Sequence, residues 1–176
     1  MQHTVKLNEE SDVIINDWLF INYHDRINVL VQDPASTNDD PSFLVFKQSK
    51  YALEGRQSLA VVGGIIEPNE NAKDAALREV SEEMGVICKT FQELGRFRTD
   101  VNRGMGWVNG FLARDCTRGK TEEAMDVVDE VGKPDTERQD LISIKLADLR
   151  RSAMAGDFLE VQWSNTVALA LLHLVN

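Results

Sequence analysis

Glu79, Glu82 and Glu83 stand at i, i+3 and i+4 of a stretch whose apolar spacing predicts a helix. That spacing brings their carboxylates onto one face, where like charges repel by roughly a few tenths of a kcal/mol per pair. Helix formation gives no reason to gather them. A hard divalent cation does, because Mg²⁺ takes carboxylate oxygens and leaves its other positions to water and substrate phosphates. The competing reading is a plain solvated acidic face, and the neighbouring residues favour the cation. Gly63-Gly64 permits a tight turn and close approach of backbone to a ligand. Glu70 lies at the helix entrance, and Arg78 can pair with Asp74 and Glu82, each four residues away.

The helix that must carry these residues has a beginning and an end in the sequence. Asn71 is a capping residue with Asp74 supporting the first turn. Gly85 is the expected stop, since glycine accepts the left-handed conformation just past a helix. Ala72, Ala75, Ala76, Val80 and Met84 form the apolar stripe that would be buried. Ser58 to Val62 reads as the strand feeding the Gly63-Gly64 turn.

Gly64, Glu70 and the run Arg78-Glu79-Val80-Ser81-Glu82-Glu83-Met84-Gly85-Val86 span 23 residues that resemble a complete Nudix box. The resemblance implies an α/β fold in which a mixed β-sheet lies between helices, and Mg²⁺-dependent hydrolysis (Mn²⁺ a substitute) of a nucleoside diphosphate linked to another moiety. It implies Glu79 and Glu83 as metal ligands, Glu82 as a ligand directly or through water, and the Gly63 or Gly64 carbonyl as a further ligand. Arg78 would orient the glutamates and Glu70 would support the turn. Outside the box the chain is most similar to ADP-ribose pyrophosphatases and related nucleotide-sugar hydrolases, in Gln48, Lys50, Gly104, Gly106, Phe111-Leu112-Ala113 and Glu137 to Ile144. By that likeness Glu137 is the general base, with Glu122, Glu123 and Glu130 as competitors. One departure is plain: Ala60 and Val62 stand where that subgroup places a glutamate and a proline, which turns sugar specificity away from a strict ADP-ribose pattern.

The rest of the chain is consistent with one domain over 1–176, its first 25 residues an extension. Relatives with such an extension pair through it, so a homodimer is expected; Trp18, Leu19, Phe20 and Ile21 supply apolar material for that interface or for the protein's own core. Residues 1–12 read as poorly ordered or as an edge extension. Short strands are expected at Val13–Ile15, Trp18–Ile21, Ile27–Val31, Phe43–Phe46, Phe91–Phe97, Trp107–Ala113 and Ile142–Leu146. Helices are expected at Asp148–Ala155, ended by Gly156, and at Asn165–Leu174, capped by Ser164. Lys47, Lys50, Arg56 and Arg103 are candidate phosphate contacts. Trp18, Trp107 and Trp163 are assigned to packing, His24 and His173 to structural roles.

A net charge of −10 argues against nucleic-acid and membrane partners, which need basic surface, and makes an anionic substrate awkward without metal ions to neutralise the site; the small-molecule nucleotide substrate is what the resemblance implies. Cys88 and Cys116 match no metal-ligand spacing and read as free thiols in a cytoplasmic protein without a secretory signal. Two other function classes stand beside the nucleotide-sugar hydrolase: a triphosphate house-cleaning pyrophosphatase and a non-catalytic nucleotide-sugar-binding module. Intact box glutamates speak against the second.

Overall fold

The computed structural model describes residues 3–8, 11–120 and 139–174; Glu122, Glu123, Glu130 and Glu137 lie outside them. Strands β1 (His3–Asn8) and β2 (Ser11–Ile15) form a hairpin of their own. The strand expected at Trp18–Ile21 does not form. Ile21 makes an isolated bridge to Gly104, and the Trp18 indole donates to the Asn102 carbonyl at 2.7 Å. At that end β8 (Gly104–Arg118) pairs β7 (Val86–Asp100) on one side, while β3 (Arg26–Gln32) joins its other side only from Val108 onwards, so the segment meets the sheet at one bridge alone.

The main sheet has seven strands in the order β5-β4-β3-β8-β7, with β6 on β3 and β9 on β4. It is mixed, because β3 runs parallel to β8 and antiparallel to β4 and β6. β4 (Ser42–Ser49) meets β3 only through Leu44 and Phe43, opposite Val31 and Gln32. Towards its other end the sheet splits. There β5 (Gln57–Ala60) joins β4 and β6 (Val62–Ile65) joins β3. The single strand expected at Ser58–Val62 is therefore two, divided at Val61, and Gly63-Gly64 lies within β6 and not in a turn. β9 (Gln139–Lys145) completes the far side of β4.

Alternation along β3 and β4 sends side chains to two cores. Ile27, Val29, Val31, Leu44 and Phe46 face α1 (Ala72–Met84), which buries Ala75, Ala76, Val80 and Met84. Leu30, Phe43 and Val45 face α2 (Leu146–Ala155) and α3 (Val161–His173) through Leu149, Val167 and Ala170. This is the expected α/β arrangement, a mixed sheet between helical layers. Helix α3 begins one turn before the expected Ser164 cap. Trp163 packs against both cores, which draws that preceding turn into the helix.

The free-thiol reading is overturned. Cys88 and Cys116 face one another across β7 and β8 and are joined as a disulfide. Their separation of 28 residues hid this, because only the antiparallel register of two 15-residue strands brings them together. Among the described residues no helix is long and apolar enough to cross a membrane.

Candidate active site

The acidic residues are positioned by α1 and by the strand it crosses. Asn71 caps the helix as expected, its side-chain oxygen accepting from the Lys73 and Asp74 amides at 3.0 Å. Gly85 closes it in the left-handed conformation, φ 63°. Beneath the helix, β6 runs so close that a side chain at Gly64 would overlap the Glu79 carboxylate. The glycine's role is thus close approach, and its target is a box glutamate.

Arg78 is the hub. Its Nε donates to Glu70 at 3.0 Å, its Nη1 to Glu79 at 2.7 Å and to Glu82 at 3.3 Å, and its Nη2 to Glu70 and to the Ile65 carbonyl at 3.1 Å. The pairing with Glu82 matches expectation. Asp74 is instead engaged by Asn71, which leaves Arg78 to span the loop carboxylate, the end of β6 and the helix face. Glu70 also accepts from the Glu67 amide at 2.9 Å, which closes the turn before the helix.

These contacts sort the carboxylates. The hydrogen bonds from Arg78 hold Glu70 below the ordinary carboxylate range, and Arg78 itself is pushed up by the same bonds. Burial raises Glu79 despite its bond to Arg78. Glu83 keeps an exposed surface, yet the protein packed around its carboxyl, with Glu79 and Glu82 adding repulsion, pushes it up to about 7. Lys50 and Arg78 oppose that rise. Three hard oxygen donors on one face, two of them resisting ionisation, have the donor chemistry a divalent cation prefers. Among the described residues no three carboxyl, imidazole or thiol side chains are already gathered as a cage; Arg78 bridges Glu79 and Glu82.

Lys50 connects this face to a cleft. It follows β4 at the split end of the sheet, and its charge acts on both Glu83 and Glu160. The cleft, about 670 Å³, is lined by Lys50 with Tyr23, Arg26, Tyr51, Glu160 and Trp163. Burial raises Glu160, and Arg26 and Lys50 pull it back. Gln162 donates its amide to Glu160 and also lines an adjoining hollow with Arg98 and Thr99. Arg26 and Glu160 escaped the sequence reading, since each is one charged residue at the edge of an element. Asn28 escaped it too: it is 3% exposed, opposite Gly63, and its amide Nδ2 has no partner among the described residues. A polar residue inside the apolar run Ile27 to Val31 was the available signal.

Gln48 is buried on β4 between Ser58 and Gln139. Arg56 is exposed and donates to the Leu53 carbonyl at 3.4 Å. Arg103 lies exposed in the β7–β8 turn, and its carbonyl accepts from Ile21 at 2.7 Å. Gly104 and Gly106 do permit close approach, but what approaches is the chain's own segment Phe20 to His24. Trp107 is half-buried, with the guanidinium groups of Arg96 and Arg98 4.5 and 5.3 Å from its ring centre.

The sequence model of the NUDIX domain matches residues 22–139, well over half of the chain. The protein belongs to the Nudix family. It is therefore a hydrolase of pyrophosphate bonds, and hydrolases of this family generally use a divalent metal. No curated protein matches the chain. In fold it is similar to a protein solved as "Crystal structure of ADP compounds hydrolase", with a TM-score of 0.69 over 99% of this chain and 92% of that one, at 16% identity.

Proposed function

We propose that this Nudix protein hydrolyses, with Mg²⁺ or Mn²⁺, the diphosphate of a nucleoside diphosphate linked to a sugar, ADP-ribose being the first choice. One observation carries the reading: Arg26, which lines the neighbouring cleft, pairs across the β3–β6 ladder with Ile65, whose carbonyl accepts from Arg78 of the acidic face, so the two are contiguous. A cleft of about 670 Å³ is in the range that holds a sizeable small molecule. A diphosphate at the acidic face would thus leave room for the second half of a long ligand. The ADP compounds hydrolase of like fold favours an adenosine diphosphate substrate.

Glu79 and Glu83, with Glu82 and the Gly64 carbonyl, would hold the cation, which when bound supplies charge neutralisation at the diphosphate and a more acidic water. Arg78 keeps Glu79 and Glu82 in register with the end of β6. Lys50 and Arg26 meet phosphate oxygens with charge-assisted hydrogen bonds, and Tyr23, Tyr51 or Trp163 offers a face to the base. Arg103, Arg56, Gln48 and Gly106 are kept as substrate contacts, Gly106 packing on Tyr23 of the cleft. Glu137 is assigned as the base that removes the proton from the attacking water. The water oxygen bonds to one phosphorus, the bridging P–O bond breaks, and a nucleoside monophosphate and a sugar phosphate leave.

Catalytic efficiency on ADP-ribose, other nucleotide sugars, dinucleotides and nucleoside triphosphates tests the reading. Nucleotide sugars should lead, with a monophosphate product. Preference for a triphosphate with release of pyrophosphate overturns it, as does binding of all of them without turnover. The exposed Leu19 and Phe20 are assigned to a homodimer contact; a monomer mass by light scattering would remove that part.

A further inference from the structure

At the end of the sheet away from the acidic face, a cavity of about 530 Å³ opens between the sheet and the ends of α2 and α3. β3 runs from Arg26 at the active-site cleft to Gln32 at this cavity, six residue steps or roughly 20 Å of extended chain. Gln32 is 7% exposed, and its Oε1 has no hydrogen-bond partner among the described residues. Arg114 lines the same cavity, and its buried Nε is likewise without a partner there.

The two orphans are neighbours by construction. Val31 pairs with Ala113 in the parallel β3–β8 ladder, so Gln32 and Arg114 follow one step later on adjacent strands. Both belong to the alternation that sends Leu30 and Leu112 towards α2 and α3. The Gln32 amide is held from its other end, where Nε2 donates to Asn38 at 3.2 Å, leaving the carbonyl oxygen for the cavity. Thr90 donates to Asp115 at 2.6 Å, so that carboxylate is already engaged. A buried polar atom left unpaired is costly to the fold, and here an acceptor and a donor stand side by side. The cavity is many times the roughly 30 Å³ that one water occupies.

We propose that this cavity is a second binding site, for a small neutral cyclic amide whose ring N–H meets Gln32 Oε1 while its adjacent C=O accepts from Arg114 Nε. Phe43 and Leu174 give such a ring an apolar wall. Phosphate and carboxylate are disfavoured because two carboxylates, Asp39 and Asp115, stand against the single guanidinium of Arg114 at the lining. The proposal does not depend on which substrate the Nudix site takes.

Backbone amide shifts of the full-length protein, followed by NMR during titration, test it. Uracil and 2-pyridone carry the N–H beside C=O, N-methyl-2-pyridone lacks the donor, and inorganic phosphate tests the anion alternative. Saturable shifts at Gln32, Thr90 and Arg114 are expected with the first two only. Gln32→Ala should weaken binding about tenfold, the worth of one hydrogen bond, and the methylated probe keeps the test valid should that variant not fold. Absence of saturable shifts with uracil and 2-pyridone overturns the proposal. So does equal response to the methylated ring, saturation by phosphate, or a crystal structure in which ordered water alone satisfies Gln32 and Arg114 after soaking with 2-pyridone.

Discussion

Gly64→Ala separates folding from chemistry at the acidic face. Gly64 lies in β6 outside the left-handed region, so alanine can adopt its backbone. The added methyl would overlap Cγ, Cδ and Oε1 of Glu79, all in a side chain that can rotate aside. An off-rotamer glutamate costs about 1 kcal/mol, and losing the 2.7 Å bond from Arg78 costs about 1 kcal/mol more. Removing a glycine restores roughly 0.4–1 kcal/mol through the unfolded chain. The net destabilisation is about 1 kcal/mol, a fall in Tm of roughly 2–4 °C for a domain of this size. Displacing the carboxylate proposed to hold the cation by an ångström or more should lower kcat by about 10² or more. Calorimetry and steady-state turnover of ADP-ribose with saturating Mg²⁺ read the two effects separately. A folded variant with turnover within about threefold of the parent, where a misplacement of this kind predicts about 10², would refute the placing of Glu79 against Gly64 as functional.

Three further outcomes follow from the same structure. Glu83 has its folded-state carboxyl pushed from 4.5 to about 7, so the metal-free fold binds more protons than the unfolded chain between those values. Its favourable contribution is whole below 4.5 and lost as pH rises through about 7. With chelator present, Glu83→Gln should flatten that decline. The gap alone would give about 3 kcal/mol, and screening at this exposed side chain leaves about 1 kcal/mol at pH 8; denaturation of both proteins across pH checks it, and a variant less stable there contradicts it. Glu137→Gln should lower kcat while leaving Mg²⁺ affinity, by calorimetric titration, unchanged; an unaltered rate moves the role of base to Glu122, Glu123 or Glu130. Replacing both Cys88 and Cys116 by serine opens a loop of 28-residue separation, and a loss of about 3.6 kcal/mol is expected from chain entropy. Equal denaturation midpoints for the oxidised parent and the double variant would contradict the cross-link.

Local chemistry made α1 readable in advance. Its cap at Asn71, its stop at Gly85 and its buried stripe are decided within about one turn of each residue, and the acidic spacing is a property of the helix itself. The layered α/β class came with the resemblance of the box and agrees with short strands on both sides of one helix and two helices closing the chain. Long-range pairing decided the rest. The split of Ser58–Val62 between β5 and β6 depends on which neighbour each half finds. The cross-link of Cys88 with Cys116 depends on a hairpin register. Trp18–Ile21 meets the sheet only at the bridge of Ile21 to Gly104, a contact between residues far apart in the chain. Glycines 104 and 106 were legible as places of close approach, but the approaching partner, the segment Phe20 to His24, is more than 80 residues away in the chain. The cleft between Lys50, Arg26 and Glu160 exists only because β3 and β4 part company at one end, bringing the start of one strand, the end of another and the first turn of α3 together. Side-chain identity is written locally; the company each side chain keeps is set by contacts too distant in sequence for local propensity to encode.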